Sequence, residues 1–256
     1  MSRSNPTENN PNPSTRWFEW DGEAGAIRYY DKTEKKNVQV GSDFTFILLD
    51  RLSTVKGWHE DSSSSIYSNE VKDTRAETLV VKAFKSKRIL AEGFYAQIKD
   101  RVKAEGGCFA LNCYIAFRND EKELVLGSLT FKGGSLGEWM DFEKANRSDV
   151  WKKAVRIKGY TEGKKGKIVF RTPIFHIAEI SEKTDAEAKS LDQQLQDFLK
   201  GYFKRTRTEQ VDQTIAEREP EREQHQENEP AEVRRGNRPP ADPDENDEPS
   251  ESDIPF

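Results

Sequence analysis

Apolar and polar positions alternate over several short stretches of this chain and recur at helical spacing over only three. Arg16-Trp17-Phe18-Glu19-Trp20 opens the folded body, and Ala26-Ile27-Arg28-Tyr29-Tyr30 follows with strand character. A polar turn from Asp31 to Asn37 leads to Val38-Gln39-Val40, and Gly41-Ser42 leads into a longer run from Phe44 to Val55. The stretch from His59 to Glu70, with serine at each position from Ser62 to Ser65, reads as a long loop. Thr78 to Lys85 predicts another strand, with Val80, Lys82 and Phe84 on one face. Cys108 to Phe117 is the clearest strand. Phe109, Leu111, Cys113, Ile115 and Phe117 line one face, and a mixed set that includes Asn112 and Tyr114 lines the other. Asn119 to Lys122 is a hairpin turn into Leu124 to Lys132. Val150 to Tyr160 and Lys167 to Ile180 predict a second hairpin around the turn Thr161 to Gly166.

Helical spacing first occurs from Phe94 to Ala104, where Phe94, Tyr95, Ile98 and Val102 recur and Gly106-Gly107 ends the pattern. A short helix from Leu136 to Asn146 is anchored by Trp139, Met140 and Phe142. Asp185 to Lys204 is the strongest helix, with Leu191, Leu195, Phe198, Leu199 and Tyr202 as its apolar stripe and basic residues near its C-terminal end. The order predicts a mainly β domain with helices (α+β) over residues 16–205. A disordered arm is expected over 1–15 and a disordered acidic tail over 206–256, because little beyond Thr208 can be buried. A Greek-key barrel and a β-sandwich both fit this order.

Composition changes the picture through its distribution. Residues 1–208 carry 36 Lys+Arg against 30 Asp+Glu, a net of +6, while residues 209–256 carry 5 against 16, a net of −11. A mildly basic body joined to an acidic tail favours a polyanionic partner for the body. The two cysteines, Cys108 and Cys113, are separated by an odd number of residues in a strand and point to opposite faces, which disfavours a bridge or a shared metal. Free thiols in a reducing cytosol are expected. Ser2 to Thr15 is polar and unlike a secretory leader, and no apolar stretch approaches the roughly 20 residues that cross a bilayer.

The chain ends Asp253-Ile254-Pro255-Phe256, preceded by Asp244, Glu245, Asp247, Glu248 and Glu251. An exposed ring beside a free carboxylate suits a small apolar pocket with a basic rim. This tip resembles that of bacterial single-stranded-DNA-binding proteins, over about the last ten residues. In that family the tip recruits replication, recombination and repair enzymes. The resemblance implies single-stranded DNA as the body's partner and assigns Glu251, Asp253, Ile254, Pro255 and Phe256 to client docking. It also tips the fold expectation toward an oligonucleotide-binding (OB-fold-like) Greek-key barrel. The body does not match the short domain of the common bacterial protein, and the plan is more similar to replication proteins of tailed bacteriophages. Bacterial nucleoid or phage-infected host cytoplasm is the implied location. Monomer and homodimer are both compatible.

Single-stranded nucleic acid is held by a basic groove and by rings on which bases stack. Tyr30, Trp58, Tyr67, Tyr114 and Tyr160 lie in polar or loop settings and are the stacking candidates. Lys164, Lys165, Lys167 and Arg171 are the first phosphate-contact candidates, Lys82, Lys85, Lys87 and Arg88 the second, and Lys152, Lys153, Arg156 and Lys158 the third. Catalytic signals are poor, so no enzyme activity, cofactor or metal is expected. His59 in Trp-His-Glu-Asp lacks metal-site spacing, His176 sits in an apolar strand as a structural residue, and His225 lies in the tail. Gly133-Gly134-Ser135-Leu136-Gly137 lacks the Lys-Ser/Thr of a phosphate loop and reads as a strand-to-helix turn. The competing expectations are a strand-annealing accessory protein and an adaptor that docks on replication enzymes without binding DNA.

Overall fold

The structure is a computed structural model and describes residues 11–222. The chain begins with β1 (Arg16–Asp21), β2 (Ala26–Asp31) and β3 (Lys36–Gly41), and continues into the long β4 (Asp43–His59). Then come β5 (Ser64–Ser68), β6 (Leu79–Ala83), β7 (Ile89–Gly93) and helix α1 (Tyr95–Ala104). A hairpin of β8 (Gly107–Arg118) and β9 (Leu124–Lys132) precedes α2 (Gly134–Ala145). A second hairpin, β10 (Ala154–Lys165) with β11 (Ile168–Ala178), precedes α3 (Glu182–Lys204) and α4 (Arg207–Arg222).

All strands belong to one 11-stranded sheet ordered β3-β2-β1-β9-β8-β4-β5-β6-β7, with β10 added to β4 and β11 to β10. Every pairing is antiparallel except β1 with β9. The fold is mixed α+β, and the sheet is open. The expected closed Greek-key barrel is not formed among the described residues, because the hydrogen-bonded path ends at β3 and β7. The physical reason lies in β4. One edge takes β8 along most of its length. The other takes β10 opposite Asp43–Ile47 and β5 opposite Lys56–His59. One strand with two successive partners on the same edge splits the sheet into two wings instead of wrapping it shut.

Both faces of the central sheet are covered. Phe46, Phe117, Phe131 and Ile115 point to one side, where α1 adds Tyr95, Ile98 and Val102 and α2 adds Leu136 and Trp139. Trp139 stacks on Phe131 at 5.1 Å between ring centroids and meets the edge of Phe175 at 5.3 Å. On the other side α3 lays Leu195, Phe198, Leu199 and Tyr202 over Leu52, Tyr114 and Leu126. The α3 stripe forms as its spacing predicts. Ser181 caps it by accepting from the Thr184 amide at 3.2 Å, and Glu182 and Asp185 suit the positive end of the dipole.

Three local expectations need correction. The Ser-rich loop contains β5, because each residue from Ser64 to Ser68 is buried between β4 and β6. The β10–β11 turn is tighter than Thr161–Gly166, since pairing continues to Lys165 opposite Ile168, and Gly166 takes the left-handed conformation (φ 59°). The segment after 206 begins with α4, whose Val211 and Ile215 pack on Tyr67, Val80 and Phe84. Two apolar residues one turn apart, joined by polar ties such as Lys82 to Asp212 and Arg207 to Glu77, dock an otherwise polar helix.

A buried polar chain fastens α3 and the segment after β5 to the sheet. Lys56 donates to the Thr130 hydroxyl at 2.7 Å, and Thr130 donates to the Asn112 carbonyl oxygen at 3.1 Å. The Asn112 amide and the Tyr114 hydroxyl donate to the two Glu70 oxygens at 2.9 and 2.7 Å, while the Glu70 backbone amide donates to the Tyr202 hydroxyl at 2.7 Å. Burial, then the nearby Glu70 carboxylate, pushes the Tyr114 hydroxyl well above its ordinary range. Glu70→Ala is expected to lower stability by about 2–4 kcal/mol, because two buried donors lose their acceptor. The urea midpoint measures it, and Glu70→Gln should recover part of the loss.

Candidate nucleic-acid interface

The β10–β11 ribbon is built from a strand that outruns its partner. Pairing with β4 ends at Lys158 opposite Asp43, the Gly159 amide still donates to the Ser42 carbonyl at 2.8 Å, and beyond it β10 pairs with β11. A bulge between Ile157 and Tyr160, with Gly159 at φ 80°, re-aims the ribbon as it leaves the sheet. Arg156 is exposed before the bulge, Lys158 within it, and Tyr160, Glu162 and Lys164 after it. Tyr160 is 42% exposed. Lys167 is exposed at the turn, and Lys165 is the last residue of β10.

The foot of the projecting part is braced. The Arg171 guanidinium lies 5.3 Å from the centre of the Tyr160 ring, donates to the Glu23 carbonyl and pairs with Glu162 at 3.2 Å. Its backbone amide donates to the Gly22 carbonyl at 2.8 Å, and its carbonyl accepts from the Trp20 indole at 2.7 Å. Gly25 has φ 65°, and a Cβ there would fall 2.6 Å from both Tyr160 and Arg171, so only glycine permits this contact. Arg156 is held by Asp43 in a two-bonded fork at 2.8 and 2.5 Å, which keeps the Asp43 carboxyl below its ordinary range.

At the other end of the ribbon Trp151 is 45% exposed beside exposed Lys152. Lys153 is drawn to Glu179 at 2.7 Å and Asp149 at 3.5 Å. Trp151 is not among the stacking candidates chosen from the sequence, although it is exposed. The signal was its place in a turn, between Asp149 and two lysines. Next to Asp43 a cavity of about 620 Å³ opens where β3 parts from the start of β4. Phe18, Val38, Phe44 and Phe117 line it, with Arg16 and Arg118 among its polar groups.

The remaining candidates lie elsewhere. Tyr67 and Tyr114 are buried, Tyr67 under α4 and Tyr114 under α3, so neither ring is open to a base. Lys82 is buried and bonded to Asp212 at 2.6 Å. Tyr30 and Trp58 are half-buried. Lys85, Lys87 and Arg88 are exposed around the β6–β7 turn, with the Lys87 ammonium 4.9 Å from the Phe84 ring. That turn and the ribbon tip sit beyond opposite ends of β4, about 50 Å apart along its contour. The structure therefore unites the ribbon residues and separates them from the second basic cluster. The tip residues Glu251, Asp253, Ile254, Pro255 and Phe256 lie outside the described residues.

Other chemistry is sparse. Buried His59 bonds the Ser62 hydroxyl at 2.6 Å and Glu105 at 3.0 Å, tying the β4–β5 turn to the end of α1. His176 is exposed on β11 rather than structural: it stands opposite exposed Arg156, and strand alternation turns its neighbours Phe175 and Ile177 toward the core instead. Both cysteines are free thiols, and burial pushes Cys113 well up. Gly133 precedes α2 as the expected turn residue, at φ 56°. Among the described residues no group of three or more His, Cys, Asp or Glu is placed to hold a metal, and no helix is long and apolar enough to cross a membrane. No protein-family model, curated protein or solved structure matches the chain.

If the ribbon is the interface, exposure separates the aromatic candidates. Tyr160→Ala and Trp151→Ala should each weaken oligo-dT binding by about 1–3 kcal/mol. Tyr67→Phe and Tyr114→Phe should leave it unchanged in a fluorescence-anisotropy titration.

Proposed function

We propose that this protein binds single-stranded DNA through the β10–β11 ribbon and recruits partner enzymes through its C-terminal tip. The observation that carries the proposal is the ribbon itself. A β-arm leaves a net-positive body with Tyr160, Lys164 and Lys167 exposed along it, Arg156 and Lys158 exposed at its root, and Trp151 exposed just before β10. Rings for bases and cations for phosphates on one extended element are what sequence-tolerant strand binding requires. Gly159 and Gly166, with nothing within 4 Å of where a Cβ would stand, let a polynucleotide backbone come close to the arm, while at Gly163 the Phe170 ring fills that space. Phosphate binding on this arm would displace Asp43 from Arg156, exchanging one charge-assisted contact for another. The acidic residues ahead of Asp253-Ile254-Pro255-Phe256 then serve client enzymes of replication, recombination or repair. The proposal needs no catalytic group and no cofactor.

An adaptor reading is favoured by a separate observation, the exposed apolar side chains Ile168, Val169 and Ile174 on β11. It requires protein rather than DNA on the ribbon and predicts no salt-sensitive binding to oligo-dT. A strand-annealing role shares the DNA contacts and differs in accelerating the pairing of complementary oligonucleotides.

Titration with oligo-dT at two salt concentrations tests the proposal. Affinity should fall as salt rises, and converting Lys164, Lys165 and Lys167 to Ala should make the log–log slope shallower by up to about 2. An unchanged slope places the phosphate contacts elsewhere. Deleting Asp253 to Phe256 should abolish client capture while strand binding stays equal or tightens slightly. Weaker strand binding after that deletion would contradict the division of labour.

A further inference from the structure

We propose a second binding surface for single-stranded nucleic acid on the face of β5 and β6, held closed by α4. This rests on the reading of the protein as a strand binder and adds a site at the opposite end of β4 from the ribbon. Under α4, Tyr67 of β5 stands directly opposite Lys82 of β6 in the pairing register. The Tyr67 and Phe84 rings meet edge to face at 6.4 Å. The covered patch continues into the exposed β6–β7 turn, where Lys85, Lys87 and Arg88 face solvent. Two rings and a row of cations on one sheet face match the composition of a strand-stacking platform.

The cover has the character of a removable part. Among the described side chains its apolar hold is Val211 and Ile215. The rest is polar: Arg207 to Glu77 at 2.7 Å, Asp212 to Lys82 at 2.6 Å, the Gln210 side-chain amide to the Tyr202 carbonyl at 2.9 Å, and Glu217, whose carboxylate accepts from the Asn12 amide and whose carbonyl accepts from the Lys32 ammonium, each at 3.2 Å. A helix that served only to seal a core would gain little from a lysine beneath it, since a buried ion pair is a weak source of stability. Lys82 keeps only 7% of its side chain exposed, and the Asp212 carboxylate occupies the place on its ammonium that a phosphate would take. Removing α4 frees a cation and two rings together. The helix also leads directly into the acidic C-terminal segment, so any partner that draws on that segment loads the cover.

The test keeps the full chain and releases α4 with the charge-neutral pair Val211→Ser and Ile215→Ser. Faster hydrogen exchange over residues 207–217 reports release. Affinity for oligo-dT should then rise about tenfold, the equivalent of one additional stacked base. Ultraviolet cross-links to oligo-dT should appear on the peptide containing Phe84, where the parent chain has none. A milder pair, Arg207→Ala with Asp212→Ala, leaves the apolar contacts in place and should give a smaller gain in the same direction. Confirmed release with unchanged affinity and no β6 cross-link overturns the second site. If the parent chain fails to bind oligo-dT at all, the reading of the protein as a strand binder fails instead. If the parent binds through Tyr160 and released α4 adds nothing, only the second site fails.

Discussion

The pairing of β4 is the constraint on which the remaining architecture depends. Seventeen residues in one strand are too many for a single short partner on each side, and the sequence supplies two partners in succession on one edge. β8 stiffens the other edge with a ladder from Phe46 to Gly57. Two wings result, one carrying β10 and β11 and the other β5, β6 and β7. The helices then fill what the wings leave open. α1 and α2 seal the aromatic face, and α3 and α4 seal the opposite one.

Covering both faces has a functional consequence. A sheet that buries its rings on each side has no open platform for bases, so exposed aromatic residues are confined to places where the chain leaves the sheet. Trp151 stands just before β10 and Tyr160 just after the bulge. The same strand that departs from β4 at Lys158 carries exposed Arg156, Lys158, Glu162 and Lys164. The buried polar chain from Lys56 through Asn112 to Glu70 and the tyrosines plays the opposite part, placing α3 in one register over the sheet. Fully partnered groups of that kind specify one arrangement where apolar packing alone tolerates several.

Much of the fold was legible in the sequence. The alternation in Cys108–Phe117 correctly separates Phe109, Leu111, Cys113, Ile115 and Phe117 from Tyr114, and the stripe of the Asp185–Lys204 segment identifies its buried face. The polar setting of Tyr160 correctly marks it as exposed. Tyr67 misled because serines around it look like a loop. In fact Ser64, Ser65 and Ser68 are buried, with Ser64 and Ser68 bonding to neighbouring chain segments. Lys82 misled because a lysine in an alternating strand gives no hint of a helix about 130 residues later.

Periodicity and charge determined, without coordinates, that this chain is a β-rich body with helices, that the body is basic while the remainder is acidic, and where most elements begin and end. Those properties are local, set by which side chains lie two or four positions apart. Tertiary structure alone decided that the sheet stays open, that the ribbon residues gather while Lys85–Arg88 stand at the other end of β4, and that Tyr67 and Tyr114 are shut away under helices. Those outcomes depend on which distant segment wins each edge and each face. That competition is settled by pairing and packing between residues far apart in the chain.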